Sequence, residues 1–132
     1  MNDAERGEFL FDVLVSAVEG GIDYWAEIKD YEWGSNEGPY KLGWSLPDGE
    51  RGSYARATVR EADDYEVGSW HDLTPATIEC GITRLATGNY RLNPEMLDCI
   101  TEGSTANDAG NIDSLCADAI VQVALLNELV YG

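Results

Sequence analysis

The residues able to do chemistry are few. The single histidine, His71, stands in Trp70-His71-Asp72-Leu73-Thr74-Pro75, where Asp72 could orient it as a general base. A lone histidine just before a helix start is far more often structural or exposed than catalytic. A hydrolase or transferase would need a nucleophile with its base, or paired acids in a pocket, and the sequence marks neither. Cys80, Cys99 and Cys116 are widely spaced, with no Cys-x-x-Cys pair, so together with one histidine they do not make a zinc site. They read as buried thiols in a reducing compartment.

Asn107-Asp108-Ala109-Gly110-Asn111-Ile112-Asp113 resembles a calcium loop at first sight. No starting acid in it gives ligands at alternate positions, glycine at the sixth and glutamate at the twelfth, so it reads as a turn followed by a helix start. Asp113 then lies near the positive end of the last helix dipole. No Walker loop, dinucleotide fingerprint or basic patch interleaved with aromatics is present. The expectation is a protein without catalytic residues, metal or cofactor.

What stands out is charge. The 132 residues carry 25 Asp and Glu against 8 Lys and Arg, a net charge of −17. Such a field repels nucleic acid and anionic membranes and attracts basic partners. The excess sits at the two ends: residues 1–38 and 91–132 are rich in acids, whereas residues 39–90 hold most of the arginines. Averaged over a globule of this size, −17 is one net charge per roughly 400 Å². Duplex DNA presents one per roughly 110 Å². Imitation of nucleic acid therefore requires the acids to gather on one face; spread evenly, they would serve solubility alone.

The elements that must position these acids are legible in the hydrophobic spacing. Leu10, Val13, Leu14, Ala17 and Val18 predict an amphipathic helix that stops at Gly20-Gly21. Ile22, Tyr24, Ala26 and Ile28 alternate and predict a strand through Trp33, with a continued helix as the competing reading because Trp25 breaks the alternation. Tyr40, Leu42 and Trp44 alternate, as do Ala55, Ala57 and Val59, which predicts a hairpin ended by Asp63-Asp64. Arg56 and Arg60 are expected to pair with Glu61, Asp63 or Glu50 across it.

Thr74-Pro75 and Asn93-Pro94 each place a capping side chain before a proline at the first helical position. They predict helices carrying Ile78, Ile82 and Leu85 to Gly88, and Met96, Leu97 and Ile100 to Gly103. Leu115, Ala119, Ile120, Val123, Leu126 and Val130 form the most apolar stripe and predict a final helix central to the core. The fold expected is a single α+β domain over residues 1–132: a small antiparallel sheet with an N-terminal helix and three C-terminal helices packed on one face.

Aromatic residues crowd residues 24–90, most of them expected in the core. Trp33, beside a loop and among acids, is the one taken as an exposed anchor for a partner.

Phe11-Asp12-Val13-Leu14, Ala17-Val18-Glu19-Gly20-Gly21-Ile22, Tyr24-Trp25-Ala26, Leu73-Thr74, Gly81-Ile82, the segment 107–113, Ala117-Asp118 and Val130-Tyr131-Gly132 together resemble small acidic proteins of actinobacterial phages and their hosts. The resemblance implies a phage-derived, cytoplasmic setting and carries over no functional residue. The acidic N-terminus argues against a secretory signal, and no apolar run approaches a membrane span.

The function expected is non-enzymatic: a phage-type accessory protein that binds a basic host protein and blocks its nucleic-acid-binding surface as a counter-defence inhibitor. It would contact neither nucleic acid nor membrane directly. The acids expected to make the contact are Glu19, Asp23 and Glu27 near the helix–strand junction, and Asp108, Asp113 and Asp118 near the final helix start. The alternative is a self-assembling structural protein, such as a homodimer, whose acidity serves only solubility.

Overall fold

In the computed structural model, which describes residues 3–34, 54–61, 69–88 and 90–130, the chain forms α1 (Asp3–Ser16), β1 (Ala26–Gly34), β2 (Tyr54–Glu61), β3 (His71–Leu73), α2 (Pro75–Thr87), α3 (Pro94–Ala106) and α4 (Ser114–Leu126). The strands make one antiparallel sheet in the order β1-β2-β3. The architecture is the expected α+β arrangement. No helix among the described residues is long and apolar enough to cross a membrane.

The helix starts follow from side chains that satisfy the first backbone N–H groups. Thr74 accepts from the Thr77 amide while the Thr77 hydroxyl accepts from the Thr74 amide, a reciprocal box ahead of α2. Asn93 accepts from the Glu95 amide at α3, and Asp113 from the Cys116 amide at α4. The ends are less regular. α1 passes into a π-helical turn, Ala17–Gly21, closed by the Ile22 amide on the Ala17 carbonyl at 2.9 Å. α3 does not stop at Gly103; it runs to Ala106 and is capped by left-handed Asn107 (φ 53°). Gly103 is buried inside the helix because the returning chain needs its space: a Cβ there would lie 2.7 Å from the Asp108 carbonyl oxygen.

β1 begins at Ala26, with Ile22 and Tyr24 in the preceding turn rather than in the strand. It pairs Ala26–Lys29 with Glu61–Thr58, then slips by one residue before Glu32–Gly34 pair with Arg56–Tyr54. The extra residue is accommodated at Asp30, whose backbone is left-handed (φ 53°). Side chains alternate across a strand, so one inserted residue reverses which of them face inward. Ala26 and Ile28 face the core before the bulge, and Tyr31 and Trp33 after it.

The strand paired with β2 is thus β1; Tyr40, Leu42 and Trp44, as well as Asp63-Asp64, lie outside the described residues. β2 pairs on its other side with β3, a three-residue strand that the sequence did not announce.

The core joins Phe9, Val13 and Leu14 of α1, Ala55, Ala57 and Val59 of β2, Leu73, and the inner faces of α2, α3 and α4. α4 is its centre. Every residue from Cys116 to Val123 is buried, Asp118 and Gln122 included. The predicted stripe overreached at both ends: Leu115 is 64% exposed, and Val130, 48% exposed, lies beyond the helix end at Leu126.

The thiols divide likewise, with Cys116 buried, Cys99 half-buried and Cys80 exposed, all three free. Burial and the neighbouring Asp113 push the Cys116 thiol up to about 12, which suits a packing role and not a nucleophile.

Candidate functional site

The fold brings the two acid-rich ends of the sequence together. Gly20 and Gly21 of the π-helical turn sit against the first residue of α4: a Cβ on Gly21 would lie 2.7 Å from the Ser114 carbonyl oxygen, and one on Gly20 would lie 3.8 Å from the Ser114 Cβ. Glu19 and Asp23 flank this contact from one side and Asp113 from the other, and all three are exposed. Asp113 caps α4, and Glu19 accepts a hydrogen bond from the Tyr31 hydroxyl at 2.9 Å. Asp108, also exposed, accepts from the Gly110 amide and bends the loop before α4.

The remaining members of the expected set fall elsewhere. Glu27 lies on β1 and is paired with Arg60, Oε2 to Nη2 at 2.7 Å. Trp33 is half-buried and packs against the core, turned there by the bulge.

Asp118 is a correction. It is 5% exposed and faces inward, its Oδ1 accepting from Trp25 Nε1 at 2.7 Å and Gln122 Nε2 at 2.9 Å, its Oδ2 from the Tyr24 hydroxyl at 2.6 Å. Three donors among the described residues converge on it. Gln122 extends the network, its Oε1 accepting from the Val130 amide at 2.9 Å. The network therefore ties the start of β1, the middle of α4 and the C-terminal segment together, and Asp118 is a structural residue.

Partial burial of its hydroxyl, reinforced by the bond to Asp118, pushes the Tyr24 phenol from 10.0 up to about 12, although the residue as a whole is 56% exposed. The folded state favours the protonated phenol, so this contribution to stability is complete below pH 10 and is lost as pH rises from 10 towards 12. Ultraviolet titration of phenolate, differenced against Tyr24→Phe, should show Tyr24 ionising late, and Asp118→Asn should bring it back towards 10.

Charge is sorted by face. On the sheet, acids and bases alternate: Arg56 pairs with Glu32 at 2.8 Å and Arg60 with Glu27, while Lys29 and Arg60 both stack on Trp70, 4.1 and 4.5 Å from the ring centre. The partners of Arg56 and Arg60 are thus the facing residues of β1; of those expected, Glu50 and Asp63 lie outside the described residues. Arg6 of α1 spans to Glu79, Ser104 and Asn107, and Arg84 closes the C-terminal end of α4 on the Val123 and Ala124 carbonyls.

α3 is the opposite case. It contains no base, and Glu95, Asp98 and Glu102 are all exposed at spacings of three and four residues, which puts them in one row. No ion pair joins them to a base among the described residues. At a rise of 1.5 Å per residue the row carries a charge about every 5 Å. One DNA strand carries a charge every 3.4 Å. The row thus approaches the linear charge spacing of one strand, to within about twofold, and is about threefold more dilute than the duplex, which carries a charge every 1.7 Å of axis.

Compared with protein-family models, curated proteins and solved structures, the chain matches none.

Between α3 and α4 lies a groove of about 390 Å³, lined by Arg91, Leu92, Met96, Leu115, Ala119 and Val130, with Asp118 and Gln122 among its other walls. A second recess of about 360 Å³ on the sheet is polar and holds the Arg56–Glu32 pair beside Asp30, Thr58 and Asp72. His71 does not share a site with Asp72, because successive strand residues project from opposite faces.

Sequence reasoning passed over Glu95, Asp98 and Glu102. Their helical spacing and the lack of any base between Pro94 and Ala106 were the signal.

Proposed function

We propose that this protein works by binding and not by catalysis, presenting rows of carboxylates to a basic protein and so occupying a surface that otherwise holds nucleic acid. The observation that carries this reading is the sorting of charge. Arg56, Arg60 and Arg6 are engaged by acids across the sheet and between helices, and Arg84 by the α4 carbonyls. α3 itself and the Gly20–Ser114 contact carry acids and no base, the exposed Arg91 lying before the start of α3. The phage-type resemblance supplies the setting, in which the basic partner is a host protein and the outcome is inhibition.

A displacement assay tests it. A basic DNA-binding domain is loaded with fluorescent duplex DNA and titrated with the protein at several salt concentrations. The protein should release the DNA, less effectively as salt rises, because counterion release and screened ion pairs supply the affinity. Replacing Glu95, Asp98 and Glu102 together (E95Q, D98N, E102Q) should weaken displacement about tenfold and flatten the salt dependence, while the fold is retained because all three are exposed. Displacement that ignores both salt and these substitutions would sink the proposal.

A further inference from the structure

Three side chains among the described residues are both large, apolar in character and exposed: Tyr24, Leu115 and Val130. Leu115 and Val130 line the same groove, and Tyr24 is bonded to Asp118 in its wall. Their exposure is built in. α4 buries every residue from Cys116 to Val123 yet turns Leu115 outward, and the Val130 amide is held by Gln122 Oε1, so the valine is presented by anchored backbone.

Acids stand near lining residues along the chain: Glu95 next to Met96, Asp113 two residues before Leu115 and Glu128 next to Leu129, with Asp23 beside Tyr24, the residue bonded to Asp118. All four are exposed, and Arg91 is the only base in the lining.

We propose that the groove between α3 and α4 is a docking site for an amphipathic, lysine- or arginine-bearing segment of a partner protein. Its apolar face covers Leu115, Val130 and Met96, and its cations meet the exposed acids of the flanking segments. The inference rests on the reading of the protein as an acidic binder and names the chemistry of what it binds. Charge decides among occupants. A second copy would bring −17 against −17. A basic helix brings the opposite sign to the flanking acids and apolar side chains, at helical spacing, to the floor.

The test uses three synthetic peptides followed by fluorescence anisotropy: an amphipathic helix of leucine, alanine and lysine, a scrambled peptide of the same composition, and a lysine–alanine peptide without leucine. The proteins are the wild type, Leu115→Ser with Val130→Ser, and the triple neutral variant of Glu95, Asp98 and Glu102. Circular dichroism checks that each folds.

The amphipathic peptide should bind tightest, and the Leu115/Val130 variant should lose it by about tenfold while its weak binding of the lysine–alanine peptide is unchanged. Undiminished binding of the amphipathic peptide by that variant overturns the groove. If the triple neutral variant nonetheless binds it poorly, the acidic reading stands without the groove. Binding of none of the three peptides overturns both. A wild-type dimer in light scattering that the Leu115/Val130 variant dissolves overturns the proposal too, by assigning the groove to a second copy.

Discussion

Asp118→Ala should lower the stability of the fold by about 2–5 kcal/mol, read as a drop in the urea midpoint with the slope unchanged. The carboxylate is 5% exposed and accepts from Trp25 Nε1 and Gln122 Nε2, both in the interior, as well as from the Tyr24 hydroxyl. Removing it takes the acceptor away from two buried donors at once, and each buried donor so deprived costs about 1–3 kcal/mol. Tyr24 loses less, because the residue is 56% exposed and stands at the edge of the network.

Asp118→Asn is the informative partner. Its amide oxygen can keep Trp25 and Gln122 while the amide nitrogen faces the Tyr24 oxygen, so the loss should be a fraction of that for alanine. If alanine and asparagine cost the same, the charge itself matters; if neither costs anything, the network is not what joins β1 to α4.

The second large effect is a methyl group. Gly81→Ala should destabilise by about 1–3 kcal/mol, even though alanine is favoured over glycine in a helix interior by about 1 kcal/mol. α2 and α4 touch there through their backbones. A Cβ on Gly81 would lie 2.3 Å from the Ile120 carbonyl oxygen and 2.9 Å from its Cγ2. A carbonyl inside a buried helix cannot swing aside, so the two helices must separate along the most extensive helix–helix contact in the molecule.

Gly7→Ala in α1 is the control, since nothing lies within 4 Å of a Cβ placed there. It should stabilise by up to about 1 kcal/mol. Thermal melts of the two variants should move in opposite directions. A Gly81→Ala protein that melts with the wild type would mean that α2 and α4 are not in backbone contact.

What could be read from the sequence was what is decided locally. A cap needs only a side chain and the amides two or three residues on, so Thr74-Pro75 and Asn93-Pro94 marked two helix starts. Other features depend on residues far apart. Asp118 reads in the sequence as one of the acids near the final helix start, and the donors that hold it inside, Tyr24 and Trp25, lie 94 and 93 positions away. Arg56 and Arg60 were given near neighbours, whereas strand register hands them Glu32 and Glu27. α4 is buried on all sides over its middle, so periodicity could not say that Leu115 points out.

The acid-rich ends were visible as composition, but their meeting depends on Gly21 lying against Ser114, which no pattern announces. α3 is the reverse: its charged row obeys local spacing, and attention to net charge rather than to spacing hid it.

Asp30 carries one more consequence. Among the described residues β1 is the outer strand of the order β1-β2-β3, and an outer strand that runs straight is the kind on which another strand can be laid. A straight ribbon would invite that copying at high concentration. The kink at Asp30 breaks the straight run of pairing groups along the strand and so spoils the match. One inserted residue thus both aims Tyr31 and Trp33 inward and guards the rim of the sheet against ribbon-like stacking.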